Sequence, residues 1–399
     1  METSMTQHLD VIDLDAVRAD TPGVLYRNHL NNAGAALMPA PVLAAVTDHL
    51  RREGEIGGYE AAAEAADRLA TIHTNIATLI GASAKEIAIT ENATVAWQRA
   101  FQSMSFVPGE RILTSRAEFA ANYIVFLQAA ARSGVTVEVI PDDEFGALDP
   151  AALARMIDDK VRLIAITWLP TNGGLVNPAA AVGRIARANG IPYLLDGCQA
   201  VGQMTVDVEA LGCDMFTATG RKFLRAPRGT GFLYMRQDML DRTEPTMLDL
   251  FGAEVDRPGH YGMRADARRF ETWETNYSTR LGLGAAVDYA LAIGIDAIEA
   301  RCGALAGRLR DGLANLGSVT LRDSGVQRSA IVSFSVENVE AGVVMQHLTR
   351  AGINVSVSPP TSTPLDAAAR SLPPIVRASP HYYNTIGEID ALVHAIDAL

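Results

Sequence analysis

IPYLLDGCQAVGQMTVDVEALGCDMFTATGRKFLRAPRGTGFLYM, residues 191–235, decides how the rest of this 399-residue chain is read. An apolar run stops abruptly at Asp196, and a second, residues 213–218, stops at the polar cluster Thr219-Gly220-Arg221-Lys222. Acid and amine thus stand where buried strands open into loops, which is where α/β enzymes keep their chemistry.

Working outward, residues 86–90, 111–114, 135–140, 161–168 and 192–195 read as strands, separated by helical patterns such as 119–132 and 178–188. The alternation predicts a largely parallel sheet, seven-stranded in all, with helices on both faces. Residues 232–235, following the turn signals of 227–231, add an antiparallel strand, and 238–268, rich in Asp, Arg, Gly and Pro, reads as a long irregular connection. From Leu281 the pattern becomes a long helix, strands at 329–336, 354–357 and 375–378, and a terminal helix from Ile386: a smaller α+β domain. The expected division is an N-terminal segment 1–60 packing with the small domain, a large domain 61–275, and a small domain 276–399.

With 48% hydrophobic and 20% charged residues the chain can bury the cores of two domains. The net charge of -12 gives no footprint for nucleic acid or an anionic membrane. Residues 1–20 carry no basic stretch ahead of an apolar one, and no run of about 18 apolar residues occurs, so the expectation is a soluble, cytoplasmic protein. Cys198, Cys213 and Cys302 have no metal-ligand spacing, and neither CxxC nor HExxH is present. No disulfide and no metal are expected. Cys198, two residues after Asp196, reads as a buried small apolar residue or as a neighbour of the site.

An Asp closing one strand and a Lys closing the next suit pyridoxal phosphate (PLP), where the lysine forms a Schiff base and the carboxylate pairs with the pyridinium nitrogen. Five pieces bear on this in chain order: His29-Leu30-Asn31-Asn32-Ala33-Gly34, Glu91-Asn92-Ala93-Thr94, Asp196-Gly197-Cys198-Gln199-Ala200-Val201-Gly202, Thr219-Gly220-Arg221-Lys222, and Val376-Arg377-Ala378-Ser379-Pro380-His381-Tyr382-Tyr383-Asn384-Thr385. Together they resemble the class V aminotransferase and cysteine desulfurase family of fold-type I PLP enzymes. The resemblance implies Lys222 and Asp196 as catalytic residues, Ala93 and Thr94 at the cofactor phosphate, and Gln199 at the ring hydroxyl. It puts Thr171 or Asn172 over the cofactor's other edge, with Asn32, Ala33, Gly34 and Arg377 on the substrate side.

Read from the residues, Thr94 lies in the first turn of a helix that follows a strand, where free N–H groups and the helix dipole suit a phosphate or simply a capped helix. Thr219 and Arg221 stand where desulfurases show phosphate-binding Ser and His, and Arg221 also sets a second cation beside Lys222. Taken alone, Arg221, Lys222, Arg225 and Arg228 would make a solvated basic loop, which leaves Asp196 unexplained. An Arg at 377 suits a bidentate grip on a substrate α-carboxylate, with a structural ion pair as the alternative. In Phe270-Glu271-Thr272-Trp273-Glu274-Thr275-Asn276-Tyr277, the family's loop into the partner's active site, Glu274 falls where a phosphate-binding Thr is usual, leaving Thr275 or Asn276 to substitute. A homodimer is implied.

Two departures bear on the reaction. Phe119 replaces the ring-stacking His of desulfurases and cannot move a proton. Residues 355–365, matching the loop that carries the persulfide cysteine, hold no Cys. The leading expectation is therefore a PLP-dependent carbon–sulfur lyase acting on a cysteine-derived amino acid or sulfoxide conjugate, with aminotransfer or epimerisation as runner-up. A non-catalytic PLP-fold binding protein is a third reading. A nucleotide-binding doubly wound protein is a fourth, against which stands the lack of G-x-G-x-x-G and of a P-loop.

Overall fold

The computed structural model describes residues 12–399; residues 1–11, part of the stretch read for a leader and of the N-terminal segment, lie outside the described residues. After the two-residue strand β1 (Asn28–His29), seven strands build the large sheet: β2 (Ile87–Thr90), β3 (Arg111–Thr114), β4 (Thr136–Val139), β5 (Val161–Thr167), β6 (Tyr193–Asp196), β7 (Met215–Thr219) and β8 (Gly231–Met235). Their order is β2-β8-β7-β6-β5-β3-β4. All adjacent pairs are parallel except those made by β8, which runs antiparallel to both β2 and β7. This is the mainly parallel sheet expected from the sequence, including the reversed strand after 227–231.

The strands of residues 191–235 read as continuous apolar runs because β6, β7 and β8 are buried along their whole length. Successive side chains enter different cores: Leu194 joins the one that holds Trp97 and Phe126, and Leu195 the one that holds Val182. Each fully buried leucine contributes about 1.5–3 kcal/mol by leaving water. The register pairs Thr167 with Asp196 and Asp196 with Thr217, so the strand ends bearing the polar groups lie level with one another.

Two sequence expectations are corrected here. The segment 238–268 is not wholly irregular: β9 (Ala253–Arg257) and β10 (His260–Met263) form an antiparallel hairpin across Pro258 and Gly259. Almost all of its residues are exposed, so no alternation of apolar and polar residues marks it. The expected single helix from Leu281 is two, Tyr277–Ile293 and Ile295–Ala314, bent by 81° at Gly294. Gly294 has φ +94°, a conformation that favours glycine and ends the first helix. No single helix among the described residues is long and apolar enough to cross a membrane.

The small sheet has the order β11-β12-β15-β14, formed by β11 (Val319–Leu321), β12 (Val332–Val336), β14 (Ser356–Ser358) and β15 (Ile375–Ala378), all antiparallel. A short helix, Pro364–Arg370, interrupts the path from β14 to β15 in addition to the helix Ala341–Arg350 before β13 (Ile353–Asn354). The N-terminal segment divides between two neighbours. β1 pairs in parallel with β13, and Leu30 O accepts from Ser379 N. The helix Ala40–Ile56 instead lies on the helix Tyr277–Ile293, where a Cβ on Gly282 would come within 2.6 Å of Val46.

Candidate active site

At the carboxyl ends of β5, β6 and β7 a cavity is lined by Ala93, Thr94, Phe119, Asn122, Thr167, Leu169, Thr171, Asp196, Cys198, Gln199 and Lys222. Asp196 ends β6 and is buried. Its Oδ1 accepts from Cys198 N at 2.9 Å and its Oδ2 from Asn122 Nδ2 at 2.9 Å. Lys222 lies in the turn after β7, and its amine makes no hydrogen bond or ion pair with the described residues. Burial lowers the proton affinity of its amine; Cys198 and Asp196 act against this, and the Arg221 and Arg377 charges add to it. An unpartnered amine of lowered basicity is equipped to act as a nucleophile.

The cavity's second wall is the start of the helix Ala93–Gln102. Asn92 caps it by accepting from Val95 N at 3.0 Å, which leaves the N–H groups of Ala93 and Thr94 without partners among the described residues. Gly231 on β8 makes this placement possible: a Cβ there would stand 2.7 Å from Asn92 C and 3.0 Å from Ala93 N. Free N–H groups at a helix start favour an anion. Gln199 spends its Nε2 on Ala33 O (3.1 Å) and Thr171 Oγ1 (3.4 Å), leaving its buried Oε1 without a partner. An anion cradle, a buried acceptor, a flat Phe119 ring, a buried carboxylate and a free amine all face one cavity. That donor set fits PLP.

Other expected residues stand differently. Thr171 lines the cavity, whereas Asn172 turns away and donates to Asp366 Oδ2 at 2.7 Å. Thr219 gives its hydroxyl to Thr230 O (3.3 Å), and Arg221 donates to Gly34 O; neither lines the cavity. Asn32 is wholly buried, donating to Ser379 O (2.7 Å) and accepting from Tyr383 Oη (2.5 Å). Ala33 and Gly34 therefore reach the site through the carbonyls that hold Gln199 and Arg221. Thr275 and Glu274 line a separate surface cavity with Leu50 and Tyr59, while Asn276 caps the helix Tyr277–Ile293. Arg228 is exposed, but Arg225 is 1% exposed, so the basic run is no solvated loop.

Arg225 has φ +62° and donates to Leu37 O (2.8 Å), Tyr382 Oη (2.7 Å) and Thr21 Oγ1 (2.6 Å), with its guanidinium 4.6 Å from the Tyr383 ring centre. Sequence reasoning passed over this role, and also those of Glu118 and Asn122. The only signal for the latter pair was their i, i+4 spacing at a helix start.

Arg377, on β15, donates through Nη1 to Thr171 O (2.8 Å) and Thr171 Oγ1 (2.6 Å) and through Nε to Ser356 Oγ (3.2 Å). It is 8% exposed and has no acidic partner among the described residues. Burial, with Arg221 adding, brings it down to about 10. A buried guanidinium without a counter-anion is an arrangement that an arriving carboxylate would stabilise. Arg377→Ala is expected to weaken binding of an amino-acid substrate by about 2–5 kcal/mol and to leave PLP loading unchanged. Titration with the amino acid and with its decarboxylated amine separates the outcomes, since equal losses for both would make Arg377 structural.

The class V aminotransferase family model matches residues 28–392. A cysteine desulfurase of Dickeya dadantii (strain 3937) is 33% identical over 399 residues, covering 95% of each chain. Among solved structures, the apo cysteine desulfurase from Thermococcus onnurineus NA1 superposes with a TM-score of 0.88 at 25% identity, covering 97% of this chain and 98% of that one. The cystine C–S lyase C-DES, in complex with its product cysteine persulfide, gives a TM-score of 0.84 over 94% of this chain and 99% of that one; at 24% identity it speaks to the fold alone. With the family model spanning nearly the whole chain and a relative this similar at full length, the chain belongs to the class V aminotransferase family and is a PLP-dependent enzyme.

Proposed function

We propose that the protein cleaves the carbon–sulfur bond of a cysteine-derived amino acid by β-elimination and releases the sulfur fragment as a small molecule. The observation that carries this is the state of the thiols. The segment 355–365 contains no cysteine, and Cys213 and Cys302 are buried. Cys198 does line the cavity, but burial, and the Asp196 charge after it, push its thiol well above the usual range. A persulfide acceptor works as a thiolate. Sulfur chemistry enters the proposal through the relatives' names, and the missing acceptor directs it away from transfer to a protein thiol.

Bound in the cavity, PLP supplies an electron sink for bond cleavage at the substrate α-carbon. Arg377 fixes the substrate carboxylate and so the direction of the Cα–H bond. Lys222 takes the α-proton at Nζ, whose basicity burial lowers below that of an ordinary lysine. Asp196 holds its carboxylate on the ring side, and Phe119 offers a flat face without a transferable proton. Loss of the α-proton and of the β-sulfur substituent, followed by release of the enamine, its tautomerisation to the imine and hydrolysis of that imine by water, gives pyruvate, ammonia and a thiol or sulfenate.

The test is product analysis by mass spectrometry after incubation of the holoenzyme with cysteine, a panel of cysteine conjugates and sulfoxides, and α-keto acids. Pyruvate with stoichiometric ammonia and a released sulfur fragment is expected. Alanine with sulfur left on the protein would make it a desulfurase, and a new amino acid formed from an α-keto acid would make it an aminotransferase. A homodimer belongs to the same proposal. What supports it is the exposed set Leu43, Leu50, Tyr59 and Trp273, two of whose members stand at or beside the cavity holding Thr275.

A further inference from the structure

Behind Asp196 lies a second buried carboxyl that the proposed chemistry has not used. Glu118 stands between the end of β3 and the helix Ala120–Ser133 and is 1% exposed. Its Oε1 accepts from Thr167 Oγ1 (2.5 Å), Asn122 Nδ2 (2.8 Å) and Phe119 N (2.9 Å), and its Oε2 from Thr167 N (2.9 Å) and Thr114 Oγ1 (3.1 Å). Three of these donors, the two backbone N–H groups and the amide nitrogen, can only donate. Among the described residues no cation pairs with Glu118.

Asn122 connects the two acids. Its Nδ2 carries two protons, one directed to Glu118 Oε1 and the other to Asp196 Oδ2. The reverse orientation of the amide would aim its oxygen at two carboxylates, so Glu118 and Asp196 together fix which way Asn122 faces. Glu118 also accepts from the backbone of Phe119, the residue whose ring lines the cavity. The geometry points to Glu118 as a positioning residue: through Asn122 it holds Asp196 in place, and its charge behind Asp196 strengthens that residue's hold on a proton at the cofactor ring nitrogen. The inference rests on the assignment of Asp196 to the ring nitrogen.

The cost of this arrangement is visible in Glu118 itself. Burial pushes its carboxyl up to about 7, against the pull of its Thr167 and Asn122 hydrogen bonds and with the Asp196 charge adding. The titratable groups that line the cavity beside Asp196 are Cys198 on the turn after β6 and Lys222 after β7; Thr114 and Thr167, which bond Glu118 from the neighbouring strands, are uncharged. A negative charge behind Asp196 raises the proton affinity of the ring nitrogen, so its removal must lower it.

The experiment reads the nitrogen directly. Wild-type protein and Glu118→Gln are loaded with PLP labelled with 15N in the ring, and the ring-nitrogen chemical shift is followed against pH. In Glu118→Gln the titration midpoint is expected to fall so that proton affinity drops roughly 10- to 100-fold, the scale of one buried charge acting a few ångströms away, with labelled PLP still bound. Coincident titrations in the two proteins overturn the inference, even if the variant melts earlier, because a purely structural role changes stability and not the midpoint. Should Glu118→Gln fail to fold, Thr114→Val removes one donor from Oε2, makes Glu118 harder to ionise, and is expected to shift the midpoint partway in the same direction; an unmoved midpoint then overturns it. If wild type shows no protonated ring nitrogen at all, the assignment of Asp196 fails instead, a different result from coincident titrations.

Discussion

Lys222→Ala is expected to yield a folded protein that still takes up PLP but holds it through no borohydride-reducible bond, with turnover reduced by several orders of magnitude. The expectation follows from the geometry of one amine: Lys222 faces the cavity, pairs with no acid, and sits where burial, helped by Arg221 and Arg377, lowers its basicity. Because the folded-state amine loses its proton more readily than an ordinary lysine, rebinding of PLP to apo-protein should reach full rate below the usual lysine range. The chain simplifies the measurement, since its only other lysines, Lys85 and Lys160, are exposed and away from the cavity. Peptide mapping after borohydride reduction should find the label on Lys222 in wild type and on no lysine in the variant. A label of equal yield on Lys85 or Lys160 in the variant would remove Lys222 from the site.

Asp196→Ala should slow exchange of the substrate α-proton by several orders of magnitude while leaving the lysine-bound cofactor in place. A carboxylate held by Cys198 N and by Asn122 at a fixed strand end is a preorganised partner for a positive charge. Asp196→Glu keeps the charge but lengthens the side chain by one methylene, so partial activity is expected. Proton NMR in deuterated buffer, following loss of the α-proton signal of a bound amino acid, measures the effect without depending on which products form. Near-normal exchange in Asp196→Ala would mean that the ring nitrogen is served by another group.

What the sequence revealed and what it hid follow from the range of the interactions involved. Strand ends at Asp196 and Lys222 were legible because a buried parallel strand must be apolar throughout, so a charge marks its end. The hairpin Ala253–Arg257 and His260–Met263 was not, because it lies exposed and has no buried face to impose a pattern. Gly294 could be seen but not its φ, and a lone glycine within a helical pattern is often tolerated. In the site, Thr171 and Asn172 are adjacent and chemically similar; the contact with Asp366, 194 positions later, separates them. Glu118 and Asn122 were hidden for the same reason, since Thr167, the partner of Glu118, and Asp196, the partner of Asn122, come from two other strands. Arg225 looked like one of four surface cations until Thr21, Leu37 and Tyr382 surrounded it.

That enclosed arginine makes the lysine turn a shared hinge pin. Arg225 N donates to Lys222 O at 2.9 Å, while its side chain grips Thr21 and Leu37 near the start of the chain and Tyr382 near its end. Its left-handed backbone, a conformation costing about 1–3 kcal/mol in a non-glycine residue, persists because those partners jointly require it. The contacts to Thr21, Leu37 and Tyr382 and the shape of the Lys222 turn thus meet in one residue. By reciprocity, any free energy a ligand gained from an ordered Lys222 turn would return as a tighter hold on those segments, and loosening them would subtract the same amount from its affinity. Thr21 and Tyr382, neither of which lines the cavity, thereby bear on the turn that carries Lys222.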